Sequence, residues 1–131
     1  PGMVPIQTLD NLIYFPDMMP TLAALAKGTK HLPKQINGIN ILPLFYGKQV
    51  DTDNRLLYWE FPGKQRAARK GDWKCVTIHP NQPLELYNLK EDPEETNNLA
   101  KKYPRRVKEF DEEMQRMHIP TPNWPQPGEH F

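Results

Sequence analysis

Four side chains near the middle of the chain have chemistry suited to holding a ligand: Trp59, Glu60, Lys64 and Arg66. An indole face stacks on a sugar ring, and a Lys or Arg head group meets a carboxylate or a related oxyanion. The same residues also fit a second account, in which Trp59 packs in the core and Lys64 and Arg66 are solvated. Groups that could make or break bonds are scarcer. The chain has no serine, so a serine-nucleophile hydrolase cannot be assembled from it alone. Its single cysteine, Cys75, has no partner for an internal disulfide or a thiolate metal site and reads as a small buried hydrophobe. His31, His79, His118 and His130 are scattered without metal-ligand spacing. His79, beside Pro80, reads as an ordinary loop residue. Asp51-Thr52-Asp53-Asn54 begins like a calcium loop, but the sixth position is Leu56 rather than Gly and the twelfth is Pro62 rather than Glu. No metal site is expected in these residues.

The elements that must position the four candidates read as strands. Arg55 to Phe61 carries apolar residues on both faces, which predicts a central strand. Pro62-Gly63-Lys64-Gln65 turns the chain into a second strand at about 66–70, and Lys70-Gly71-Asp72 is a turn with Gly to supply positive φ. Trp73 to Ile78 mixes aromatic, β-branched and small apolar residues, as a strand does. After a Pro/Asn break comes a fourth strand at about 84–89. There Leu84, Leu86 and Asn88 point one way and Glu85, Tyr87 and Leu89 the other. Asp92-Pro93 is a turn, Glu94 and Glu95 suit a short helical turn, and Leu99 anchors it. A helix then closes the fold: Tyr103, Val107, Phe110, Met114 and Met117 form a narrow apolar stripe, with Pro104 near its start and Ile119-Pro120 at its end. The fold class is α+β, a four-stranded, mostly antiparallel sheet packed by a C-terminal helix.

Upstream, Asp17 reads as the N-cap of a helix over about 18–27, with Pro20 in its first turn and Gly28 as its stop. Met18, Leu22, Leu25 and Ala26 share one face. Asn37-Gly38 is a turn, and Ile39, Ile41, Leu42, Leu44 and Phe45 are expected to be buried. The polar run Lys48 to Asn54 reads as a boundary, giving parts at 1–50 and 51–120, with a Pro-rich tail at 121–131.

Composition narrows the function classes. With 131 residues one modest core is expected, and 17 basic against 16 acidic residues give a net charge of +1. That balance makes no electrostatic case for a nucleic-acid partner. No apolar run approaches the roughly 20 residues of a membrane span. Pro1-Gly2-Met3-Val4-Pro5 lacks the features of a signal peptide and lacks an initiator Met, so the chain reads as cut from something longer.

Joint order and spacing carry a further signal. Arg69, Gly71-Asp72-Trp73-Lys74, Glu85-Leu86-Tyr87-Asn88-Leu89, Asp92-Pro93, Glu95 and Asn98-Leu99-Ala100 resemble the C-terminal subdomain of the type I sulfatases, the arylsulfatase family of the alkaline phosphatase superfamily. Asp17, Pro20, Thr21, Leu22 and Leu25 are similar to the opening of the last helix of that family's large catalytic domain, and Trp59-Glu60 to an aromatic-acid pair in its first C-terminal strand. Asn37-Gly38 departs from the commoner Asp-Gly.

The resemblance implies that residues 1–50 are the tail end of an α/β catalytic domain and 51–120 the C-terminal subdomain. It implies a parent enzyme that hydrolyses sulfate esters, of carbohydrates among others, using calcium and a formylglycine made from Cys or Ser in a Cys/Ser-x-Pro-x-Arg sequence. Cys75 is followed by Val76-Thr77-Ile78-His79, so neither the Pro nor the Arg is in place. The chain alone is expected to be inactive, its nucleophile and metal ligands lying in a missing N-terminal catalytic domain that is its main partner. A sulfated small molecule or glycan is the ligand implied for the parent, with Trp59, Glu60, Lys64 and Arg66 on the rim of its cleft. Residues 1–50, parted from their sheet, would leave an apolar surface prone to self-association. Two other readings stay open: a phosphate or phosphonate ester hydrolase of the same superfamily, and a stand-alone module that binds a glycan or a protein.

Overall fold

The computed structural model describes residues 4–61, 65–79, 82–123, 125 and 130. The chain forms two compact units, Pro1–Asp53 and Asn54–Phe131, each with its own buried residues.

The second unit is α+β. Strands β1 (Leu57–Phe61), β2 (Gln65–Lys70), β3 (Trp73–Thr77) and β4 (Glu85–Asn88) form one antiparallel sheet in the order β1-β2-β3-β4. Gly71, at φ 56°, makes the tight β2–β3 turn, a left-handed conformation that costs a glycine nothing. Helix α3 (Pro104–Met117) covers one face, as its apolar stripe requires. Its Phe110 and Met114 are buried with Ala68, Cys75 and Leu86, which line up across β2, β3 and β4, and Tyr58 packs against the same cluster from β1. The ends of the stripe, Tyr103 and Met117, stay partly exposed.

One expectation is corrected here. β1 is an edge strand, not a central one. Its apolar residues do alternate between faces, but Trp59 and Phe61 are exposed on the face away from α3, where only Leu57 of the three is buried. The segment after Asp92 is a single turn, closed by the Glu95 amide on the Asp92 carbonyl. Glu95 sits at φ 57°, and the Asp92 carboxylate accepts hydrogen bonds from the Thr96 and Asn97 amides and the Thr96 hydroxyl. This turn closes the other edge of the sheet: the Leu99 amide donates to the Leu86 carbonyl at 2.7 Å, and Asn98 Oδ1 accepts the Leu86 amide. A strand edge with its groups paired is shielded from pairing with other chains.

The first unit is helix α1 (Met18–Leu25), the short helix α2 (Leu42–Phe45) and turns. Its buried residues are Leu12, Ile41 and Leu44 together with the polar Asp17, Thr21 and Thr52. The polar three bind backbone. Asp17 accepts the Tyr14 and Ile39 amides, Thr21 Oγ1 the Ile41 amide, and Thr52 Oγ1 the Leu12 amide. Asp17 stands at the N-cap position of α1, but its side chain makes no capping bond to that helix and serves as a buried clamp between turns. The left-handed residue after α1 is Lys27, at φ 57°, not Gly28. The predicted apolar stripe is also turned outward: Leu22 and Leu25 are exposed, while Pro20 and Thr21 are buried. Ile6, Phe15 and Met19 are exposed as well, leaving an apolar surface on this unit.

Candidate functional site

Strand alternation decides how the four candidate residues are displayed. Trp59 lies on the face of the sheet away from α3, with 41% of its surface exposed, beside Phe61. Glu60 and Arg66 are cross-strand partners in the β1–β2 register and share the face that meets α3. Lys64 lies outside the described residues. Trp59, Glu60 and Arg66 all border one open cavity of about 320 Å³ at the end of the sheet, whose apolar wall includes Phe61, Val76 and Ile78. Three of the four thus border one space, with only the indole on the face that carries its apolar wall and the Glu60 and Arg66 side chains on the opposite face, toward α3.

The charged pair is engaged within the protein. Arg66 Nη2 stands 3.1 Å from Asp111 Oδ1 on α3. Glu60 Oε1 accepts from the Tyr58 hydroxyl and lies 2.5 Å from His118 Nδ1. Burial raises the Tyr58 hydroxyl's pKa above its ordinary range, and the Glu60 carboxylate that it bonds raises it further. Sequence reasoning set His118 aside for want of metal spacing. The signal that locates it is positional, four residues beyond Met114 on the buried face of α3, while Tyr58 and Glu60 alternate onto the matching face of β1.

Cys75 is fully buried in β3, and burial, then the nearby Asp111 carboxylate, pushes its thiol up to about 12. A thiol so placed is no nucleophile near neutrality. Among the described residues no group of three or more His, Cys, Asp or Glu could hold a metal ion. The described residues offer no such cluster to a calcium ion, and no step of a reaction is assigned to them. No helix among the described residues is long and apolar enough to cross a membrane.

The turn at 92–99 completes the sheet's outer face. Lys74 Nζ meets both carboxylate oxygens of Glu95, at 2.6 and 2.7 Å, tying β3 to the turn. Tyr87, buried beside it, donates to Glu85 Oε2 at 2.9 Å. These residues are the ones whose order and spacing resembled the sulfatases, and their contacts are structural.

Comparison with known proteins agrees on one family. The profile described as N-sulphoglucosamine sulphohydrolase, C-terminal, matches residues 1–119. An uncharacterised protein of Haemophilus influenzae is 32% identical over 134 residues, covering 94% of this chain and 67% of its own. Arylsulfatase K of Gallus gallus is 29% identical over 126 residues, covering 85% of this chain but only 23% of the enzyme. Among solved structures, a 2-O GAG sulfatase superposes with a TM-score of 0.61 at 28% identity, over 77% of this chain and 23% of that one. The chain thus spans under a quarter of the length of these two sulfatases. With the profile matched across both compact units, the chain belongs to the N-sulphoglucosamine sulphohydrolase C-terminal family, the C-terminal region of sulfatases.

Proposed function

We propose that this chain is the C-terminal end of an enzyme that hydrolyses sulfate esters of carbohydrates, serving as scaffold and as part of the rim of the substrate cleft. The observation that carries the reading is the family match over residues 1–119, which takes in both the α1 region and the whole four-stranded sheet. On this reading residues 1–50 are the tail of the catalytic domain, and 51–120 the C-terminal subdomain. The exposed Leu22 and Leu25 of α1, with Ile6 and Phe15, are then covered by the remainder of that domain, and by self-association where it is lacking. The nucleophile, a formylglycine, and its calcium ion belong to that remainder. A carbohydrate substrate is favoured by relatives described as a 2-O GAG sulfatase and an ulvan-active sulfatase.

Trp59 and Arg66, with Glu60 and Lys64, supply the rim. Trp59 offers a ring face to a sugar, and the Arg66 and Lys64 head groups suit an oxyanion. The test is to assay the full-length gene product on sulfated disaccharides and on phosphate and phosphonate monoesters. Sulfate release is the expected result, with KM raised by Trp59→Ala and kcat little changed. Phosphoryl release alone would move the protein to the related phosphoryl hydrolases. No turnover with either class, but retained glycan binding, would make it a binding module.

A further inference from the structure

We propose a second anion site, outside the cleft rim, that takes a short sulfated segment of a polysaccharide at the start of α3. It rests on the carbohydrate reading above. Residues 101–108, Lys-Lys-Tyr-Pro-Arg-Arg-Val-Lys, hold five cations and no acid, a density characteristic of surfaces that bind sulfated or phosphorylated polymers. Arg66, Lys70, Lys74 and Lys108 are each paired with a carboxylate: Asp111, Glu113, Glu95 and Glu112. Among the described residues, Lys101, Lys102, Arg105 and Arg106 have no such partner. Four cations outside any ion pair thus fall within six residues, whereas Lys90 and Arg116, likewise outside one, stand singly in the sequence.

That place is also concave. Lys102, Tyr103, Pro104, Arg105, Arg106 and Glu109 line a cleft of about 360 Å³, room for a sugar unit or two. Its aromatic part is held in position: Tyr103 packs edge-on against Trp73 with ring centroids 5.3 Å apart. Arg106 stacks over Trp73 at 4.4 Å, and Lys102 sits 5.4 Å from the Tyr103 centroid. Stacking fixes the guanidinium plane of Arg106 while its N–H edges remain able to donate, which lowers the ordering cost of binding an anion. Glu109 on the wall supplies an acceptor for a sugar hydroxyl. A nucleic acid fits less well. Its continuous phosphate track needs a basic stripe across a face, whereas here the cations give way at once to Glu109, Asp111, Glu112 and Glu113.

The test is calorimetric titration of the full chain with a heparin tetrasaccharide, its unsulfated counterpart and a single-stranded oligonucleotide of equal charge. Lys102→Ala/Arg105→Ala is expected to weaken heparin binding about tenfold or more. Lys90→Ala/Arg116→Ala removes the same charge from other exposed positions and is expected to leave it within about twofold. Equal weakening by the two double variants, equal binding of the unsulfated glycan, or equally tight oligonucleotide binding would overturn the site. Circular dichroism on each variant separates lost binding from lost fold. Because the readout is binding without turnover, a full-length protein inactive on sulfate esters would sink the catalytic reading and leave this site standing. An active sulfatase whose heparin affinity ignores Lys102 and Arg105 would sink this site alone.

Discussion

Glu60 and His118, 58 residues apart in sequence, meet at 2.5 Å between Oε1 and Nδ1 and join the edge strand β1 to the residue that ends α3. Both side chains are largely shielded, at 18% and 10% exposure, and Tyr58 donates to the same carboxylate oxygen. Removing the carboxylate leaves two polar partners without their acceptor in a half-buried site, which typically costs about 1–3 kcal/mol. Glu60→Ala should therefore lower unfolding free energy by that amount in urea, and Glu60→Gln by less, since an amide oxygen still accepts. No change in midpoint with Glu60→Ala would show that the contact contributes nothing.

The packing of α3 on the sheet rests on Phe110 and Met114, buried against Ala68, Cys75 and Leu86. Phe110→Ala removes an aromatic from a small core and should cost about 3–5 kcal/mol. Phe110→Leu retains most of the apolar volume and should cost less. Urea denaturation followed by tryptophan fluorescence reads both, because Trp73 lies at the edge of the same cluster. A loss under 1 kcal/mol for the alanine variant would mean that α3 does not bury this face as described.

The sheet was legible in the sequence because turn residues separate short runs of strand-forming residues. Gly71 and the Pro/Asn break after His79 place β3 and β4 within a residue or two of their observed ends. The α3 stripe was legible because Phe110 and Met114 repeat at helical spacing. What failed were inferences from apolarity to burial. Leu22 and Leu25 in α1, and Trp59 and Phe61 in β1, are as apolar as core residues yet exposed, and hydropathy alone does not say whether a face is covered. Of the candidate site, Glu60 and Arg66 were legible as charged neighbours at a hairpin end. Their partners His118 and Asp111 were not, because those contacts depend on where α3 lands. Asp17 shows the same limit: Asp before a helix reads as a cap, while its bond to Ile39 is a tertiary contact.

That buried carboxylate is the most exacting feature of the first unit. Asp17 accepts the Tyr14 and Ile39 amides, each at 3.0 Å, and hydrogen bonds to a charged group contribute about 1.5–3 kcal/mol apiece. Asp17→Ala should therefore destabilise this unit by about 3 kcal/mol or more, and Asp17→Asn by less. The loop it holds has no slack, because a Cβ on Gly38 would land on the carbonyl of Pro16. Gly38→Ala should accordingly destabilise the same unit, with increased hydrogen exchange at Tyr14 and Ile39. Unchanged exchange in both variants would show that the clamp is dispensable.

Alkaline conditions probe the second unit's core directly. Cys75 holds its proton up to about 12, against an ordinary value near 9, and Tyr87 is likewise pushed to about 12 from 10, in both cases first by burial. Groups whose folded pKa is raised leave stability intact below the unfolded pKa. As pH rises above that value, the unfolded chain releases protons that the folded one retains, and stability falls. Unfolding free energy should therefore be flat through neutrality, decline from about pH 9, and decline more steeply above about pH 10, when the tyrosines join. Cys75→Ala should remove the first part of that decline while lowering stability near neutral pH, through the cavity that it leaves in the core. Alkylation gives an independent check. At pH 8 iodoacetamide should label Cys75 only as fast as the unit opens, so labelling should accelerate in parallel with urea-induced unfolding. Rapid labelling of the native chain would contradict the burial of the thiol beneath α3.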